Sequence, residues 1–222
     1  MPALVEPSDP DMPTVEVASL VRRALLVSAG ELVDALAAPP AAALRRQRVL
    51  DRWFAGYADQ VRRYHELLDT MVVPALAARG ALDQRALDTI ADDHAWIDQL
   101  LSDVGDALGI LSFGLGAEAW WIGRAADLAA SLQHVLAGQL SRDERLLAPL
   151  IGRWLDADEH EVVQRETMRA VATGPVRFSL AWFSTHLDDT ERAAVASYVP
   201  AASRVAWRVR RHSATRAAVA VG

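Results

Sequence analysis

Hydrophobic residues recur at helical spacing along most of the chain, and no segment shows the sustained alternation of a β-strand. Proline and glycine divide this pattern into four long segments that we predict to be helices. The segments run from about Val15 to Ala38, Ala42 to Arg79, Asp83 to Leu108 and Ala117 to Arg153. Four long helices with shorter connections predict an all-α protein built as an up-down-up-down four-helix bundle. Pro74 should kink the second helix, and Gly109 to Gly116 should form a loop.

After Trp154 the predicted elements are shorter. A helix over 157–172 is followed by a piece over 176–186 and by Asp188-x-x-Glu191, the pattern of a capping box at a helix start. A last helix over 201–219 carries five arginines and no acidic residue. Three aromatic residues of this region need burial, namely Trp182, Phe183 and Trp207. We therefore predict three parts: a flexible segment 1–14, the bundle 15–154, and a helical extension 155–222 packed on it.

The amino-acid composition excludes several classes of function. The chain has 222 residues, of which 52% are hydrophobic and 23% charged, as in a protein with a folded core. The formal net charge of −6 argues against nucleic acid as a partner. The absence of cysteine excludes disulfides and thiolate metal sites. No apolar run reaches the ~20 residues of a transmembrane helix, and the first 14 residues lack a secretion signal, so we expect a cytoplasmic protein.

An internal repeat connects the second and fourth predicted helices. Segment 64–76 aligns with 139–151 when Pro74 is placed on Pro149, an offset of 75 residues. Each copy consists of a polar stretch, an acidic residue, an apolar run and a proline. These two helices run parallel in an up-down bundle, so both copies should lie at the same level.

Histidine and carboxylate residues accompany this repeat. His65 and Asp69 are four residues apart on the second helix, and His94 and Asp98 have the same spacing on the third, so each pair should share a helix face. Inward-facing histidines and carboxylates from several helices at one level are the way in which helix bundles build non-haem metal sites.

Together these motifs resemble the hemerythrin-like, HHE cation-binding family, including its actinobacterial members. The chain reads Tyr-His-x-x-x-Asp-x-x-Val-x-Pro at 64–74, Asp-His-x-x-x-Asp at 93–98, and Gln-Leu-x-x-Asp-Glu-x-x-Leu-x-Pro at 139–149. The family typically has His-His-x-x-Glu-Asp…Pro, Glu-His, and His-Leu-x-x-Glu-Glu…Pro in these places. The resemblance covers about residues 15–222. It implies a hemerythrin-like bundle with a non-haem di-iron centre that handles oxygen, nitric oxide or peroxide.

Carried over position by position, the resemblance leaves few metal ligands. The family's ligand positions fall on Arg22, Tyr64, Leu68, His94, Gln139 and Asp143. Only His94 and Asp143 are unchanged or conservative ligands, and Leu68 has no lone pair with which to bridge two irons. For even one divalent ion to bind, His65, Asp69 or Glu144 would have to join them. We therefore expect no resident cofactor and weak or no iron binding.

The same residues also have interpretations without a metal. His94 can hydrogen-bond a carboxylate at a helix seam, and His65 can form a solvated pair with Asp69. Tyr64 and Gln139 can supply hydrogen bonds within a bundle core. We further predict that Arg22 points into the bundle and forms an ion pair with Asp143 or with another acid of the group, Asp69 or Asp98.

Three function classes follow from these predictions. The first, which we favour, is a hemerythrin-like protein without its di-iron centre, acting as a non-catalytic binding, regulatory or scaffolding protein. The second is a working non-haem iron protein, as the resemblance implies. The third is a binder or enzyme that uses the bundle centre for a small-molecule ligand or a single metal ion.

Overall fold

All regular structure in the described part of the chain is helical, which confirms the predicted all-α class. The computed structural model describes residues 16–38, 43–114, 119–173, 178–204 and 207. The α-helices are α1 (Val17–Ala37), α2 (Ala43–Leu67), α3 (Val73–Ala78), α4 (Gln84–Ser112), α5 (Ala119–Trp154), α6 (Ala157–Thr173), α7 (Ser179–Thr185) and α8 (Asp189–Val195). A π-helical turn (Leu68–Val72) joins α2 to α3, and a short 3₁₀ turn (Ala201–Ser203) follows α8.

The four long helices contact one another in a closed cycle. Helix α1 lies against α2 and α5, and α4 lies against the same two helices. The side chains between them form one hydrophobic cluster, whose fully buried members include Leu25, Leu32, Ile97, Leu101, Leu132 and Leu136. Burial of each such side chain contributes about 1.5–3 kcal/mol, so this cluster dominates the folding energy and fixes the helices that carry the polar residues.

The second predicted helix is interrupted at Pro74, as expected, but the interruption is a π-helical turn. Proline has no N–H, and its ring clashes with the carbonyl group four residues earlier, which loosens the turn in front of it. The Val73 N–H accordingly bonds to the oxygen of Leu68, five residues back. The chain then continues as α3, which ends at Ala78, and it turns at Gly80, where φ is +72° and a residue with a side chain would be strained.

The predicted loop at Gly109 to Gly116 is wrong in its first part, because α4 continues through Gly109 to Ser112. Leu108 and Leu111 are both buried in the core. Their burial outweighs the ~1 kcal/mol that a glycine costs inside a helix. Residues 115 and 116 lie outside the described ranges.

Helices α6 and α7 pack on the long helices. Gln164 on α6 accepts the Val17 N–H of α1 at 2.7 Å, and Trp182 on α7 donates its indole N–H to Ser28 Oγ at 2.8 Å. Trp182 and Phe183 are buried as predicted, and Trp207 is partly buried against the same core.

The predicted capping box before α8 is confirmed, since the side chains of Asp188 and Glu191 each accept the other residue's backbone N–H. The predicted segment 1–14 lies outside the described residues, as does the predicted helix 201–219 except for residues 201–204 and 207. Among the helices that the structure describes, none is both long enough and apolar enough to cross a membrane.

Candidate functional site

The two copies of the repeat meet at Asp143. Gln139, one turn before it on α5, donates a hydrogen bond to Asp143 Oδ2 at 2.6 Å, and Tyr64 on α2 donates its hydroxyl to the same oxygen at 3.3 Å. Tyr64 and Gln139 are the residues that the offset of 75 pairs with each other. Their shared acceptor confirms that the two copies lie at the same level.

Arg22 completes this group, and its side chain is buried, with 8% of the residue exposed, as predicted. The predicted direct ion pair with Asp143, Asp69 or Asp98 is wrong, because the ion pair of Arg22 within the described residues is with Glu16, at 3.7 Å. Tyr64 interacts with both Arg22 and Asp143, so its hydroxyl connects the two charges indirectly. We refer to Arg22, Tyr64, Gln139 and Asp143 as the polar cluster.

Burial sets the protonation behaviour of the polar cluster. It raises the pKa of Asp143 to about 7, although Tyr64 and Arg22 act in the opposite direction. Burial alone would lower the pKa of Arg22, but Tyr64, Glu16 and Asp143 raise it above its ordinary value. Around neutral pH, therefore, Arg22 is charged while Asp143 exchanges its proton.

Two buried histidines stack beside the cluster. The ring centroids of His65 and His94 are 4.0 Å apart, and the ring planes are 9° from parallel. His94 Nδ1 is 2.9 Å from Asp69 Oδ1, whereas His94 Nε2 and both nitrogens of His65 have no hydrogen-bond partner among the described residues. Burial and the neighbouring His94 ring lower the pKa of His65 to about 3, which keeps His65 neutral.

The prediction that His94 bonds to a carboxylate at a helix seam is confirmed, but neither histidine pairs with the acid four residues later on its own helix. Asp69 bonds to His94 of α4 instead of to His65, because the π-helical turn that begins at Leu68 breaks the four-residue register. Asp98 pairs with Arg62 of α2, at 3.5 Å, and not with His94. Both acids thus find their partners on the neighbouring helix.

The other predicted site residues are divided between core and surface. Leu68 is buried in the core, as expected for an apolar side chain. Asp143 points inward while the adjacent Glu144 is exposed, which confirms our choice between these two acids. Glu16 is a partner that the sequence did not indicate, because its six-residue distance from Arg22 matches no helical face pattern.

A groove at the surface reaches the polar cluster. It lies between the first turns of α4 and the second half of α5, has a volume of about 230 Å³, and includes Asp143 in its lining. Arg142 donates to Asp93 at its edge through Nε, at 3.0 Å, and through Nη2. This pair was not predicted from the sequence, although each member directly precedes an inward-facing residue, Asp143 or His94.

These side chains do not fit two irons. Nowhere in the described ranges do three or more histidine, aspartate or glutamate side chains converge as metal ligands would. Tyr64 and Gln139 direct hydrogen-bond donors at Asp143, and Leu68 offers no donor atom. A di-iron centre needs several carboxylates and imidazoles at one point, and these positions do not provide them.

Comparison of the chain with models of known protein families, with curated proteins and with solved structures finds no match. The resemblance to hemerythrin-like proteins therefore depends on the motifs at 64–74, 93–98 and 139–149. Any assignment of function depends on the geometry of three features: the polar cluster, the histidine pair and the groove.

Proposed function

We propose that the four long helices form a hemerythrin-like, up-down-up-down bundle in which the polar cluster replaces the metal centre. The protein then acts as a metal-independent binding protein, without redox chemistry of its own. The observation that carries this proposal is the shared acceptor Asp143 Oδ2, which receives hydrogen bonds from Tyr64 and Gln139.

Electrostatics support the replacement. A carboxylate left between helices without a cation costs several kcal/mol, and neutralisation or a nearby cation offsets that cost. Both effects apply to Asp143. Burial raises its pKa to about 7, and Arg22 supplies a nearby positive charge through Tyr64. Leu68 removes a second carboxylate altogether from the position that would bridge two irons.

A working non-haem iron protein is the second candidate, and the unpartnered nitrogens of His65 and His94 favour it. Imidazole nitrogen is a good ligand for iron, so these atoms offer ligands for a single ion. Such a site would keep little of the donor set that the resemblance implies.

Metal analysis separates the two candidates. The full chain is produced in iron-supplemented cells, desalted, and assayed for iron content and for visible absorption, in parallel with His94→Ala. The proposal expects iron well below one atom per chain in both proteins. Stoichiometric iron that survives desalting and is lost from His94→Ala would overturn the proposal and establish the second candidate.

A matched pair of variants gives an independent readout. Leu68→Glu restores a carboxylate at the bridging position, and Leu68→Met keeps the site apolar. With the metal centre replaced, Leu68→Glu should lower the melting temperature strongly in the presence or absence of ferrous iron, and Leu68→Met only slightly. Rescue of Leu68→Glu by ferrous iron would contradict the proposal.

A further inference from the structure

The groove beside the polar cluster has the size of a small-ligand site. At about 230 Å³ it is smaller than the ~300–1,000 Å³ of pockets that hold drug-sized molecules, so its ligand should be smaller than these. Ile90 is buried in its wall, and Leu146 is partly exposed along it. One side of the groove is thus apolar.

The innermost charged group is Asp143, which is only 4% exposed. Tyr64 and Gln139 occupy its Oδ2, and no donor of the described residues bonds to its Oδ1. Asp143 lines the groove, and a carboxylate oxygen that no protein donor occupies there favours a ligand that brings an N–H group and positive charge.

Most of the other charges around the groove are already engaged. Arg142 is bound to Asp93, and the carboxylate of Asp83 accepts the Ala86 N–H at 2.8 Å as the N-cap of α4. Arg85 is exposed on the rim and makes no ion pair with any described residue. The groove therefore offers one carboxyl group inside, which an ammonium group would hold in its charged form, and one positive group at its edge.

This arrangement selects the charge type of the ligand. A simple cation would be opposed by Arg85, and a simple anion by Asp143 and its acidic neighbours. We propose that the groove binds a small zwitterion, an α-amino acid with an aliphatic side chain, whose ammonium group lies at Asp143 and whose carboxylate lies at Arg85. The aliphatic side chain would lie against Ile90 and Leu146. This inference rests on the proposed function, because a metal held through Asp143 would occupy the same carboxylate.

Titration calorimetry with the full chain tests the proposal. The probes are L-leucine, leucinamide, which lacks the carboxylate, and 4-methylpentanoate, which lacks the ammonium group. L-leucine should bind, and each analogue should bind at least about tenfold more weakly, since each loses one charge-assisted contact. Equal affinity for the three probes, or no binding of L-leucine at millimolar concentration, would overturn the proposal.

Three variants locate the site. Arg85→Gln and Asp143→Asn should each weaken L-leucine binding at least about tenfold, whereas Arg145→Gln, on the exposed face of α5, should not change it. Arg85 is on the surface, so Arg85→Gln remains informative even if Asp143→Asn fails to fold. Unchanged binding in Arg85→Gln would contradict the proposal.

Iron content is measured on the same preparations. Iron-free protein that does not bind L-leucine would refute the zwitterion site but would remain consistent with the metal-independent bundle. Stoichiometric iron would instead refute the proposed function itself.

Discussion

His65 and His94 face each other across α2 and α4 with their rings 4.0 Å apart and nearly parallel, and they differ in their access to a counter-charge. His94 holds Asp69 through Nδ1, whereas neither nitrogen of His65 has a partner among the described residues. A positive charge on His65 would be buried against the ring of His94. Burial and the His94 ring therefore hold the pKa of His65 well below its ordinary value.

The first prediction concerns His65. Its pKa falls from 6.5 in the unfolded chain to about 3 in the fold, so its contribution to stability is complete above pH 6.5 and is lost as the pH drops toward 3. His65→Phe keeps an aromatic ring and removes the titration. Relative to wild type, its free energy of unfolding should rise as the pH falls through this window, by about 1.4 kcal/mol per pH unit. Urea unfolding followed by tryptophan fluorescence measures the difference, and parallel curves for the two proteins would contradict the prediction.

Asp143 should have the opposite effect. Its pKa rises from 3.8 in the unfolded chain to about 7 in the fold, so its contribution is complete below pH 3.8 and is lost as the pH rises through 7. Relative to wild type, Asp143→Asn should therefore gain stability between pH 3.8 and 7 and then level off. Between pH 3.8 and 6.5 the contributions of Asp143 and His65 oppose each other in the wild type. The same urea series tests this, and a flat difference curve would show that Asp143 is not buried as a titrating group.

The third prediction concerns the buried cation. Arg22→Met keeps a long apolar stem but removes the charge beside Tyr64 and Glu16, and it should destabilise the fold by about 1–3 kcal/mol, because the buried Tyr64 hydroxyl loses one of its polar partners. Arg63→Met is the matched control, because Arg63 pairs with Asp59 at the surface. The control should change stability by about 1 kcal/mol or less. Equal effects of the two substitutions, measured by chemical unfolding at pH 7, would mean that the charge of Arg22 has no special role.

The fourth prediction concerns the contact of α2 with Phe178. A Cβ atom at Gly56 would lie 2.6 Å from the Phe178 ring, which is itself held between Trp53 and Trp182. Gly56→Ala should therefore lower stability by about 1–3 kcal/mol. At Gly123 in α5 a Cβ would meet nothing within 4 Å, so Gly123→Ala should stabilise the helix by about 0.5–1 kcal/mol. Thermal unfolding should shift in opposite directions for the two variants, and a shift in the same direction would refute the assigned packing.

The sequence predicted the helices where local signals agree with packing. Pro74 and Gly80 mark real interruptions, but Gly109 does not, because the burial of Leu108 and Leu111 outweighs its low helix propensity. Local sequence cannot reveal this, since it depends on helices that arrive from elsewhere in the chain.

The candidate site was predictable from the sequence only where its residues lie on regular helices. The repeat identified Tyr64, Gln139 and Asp143 as inward-facing, because their spacing follows regular helices. It failed for Asp69, which belongs to the π-helical turn, and the choice of Glu16 as the ion-pair partner of Arg22 depends on distances between elements. Spacing predicts which face a residue occupies, but it does not predict the partner that the residue meets there.

The π-helical turn also means that the two copies of the repeat differ by more than substitutions. A π turn contains one residue more than an α turn, and α5 stays α-helical through the corresponding stretch. An ungapped alignment that matches the prolines therefore hides a length difference, equivalent to a one-residue insertion in the first copy. Deletion of the exposed Thr70 would let this turn close to an α turn, and α3 would keep its orientation, so Leu76 would stay in the core. The widened turn thus absorbs the extra residue locally and keeps the buried side chains before and after it on the same face.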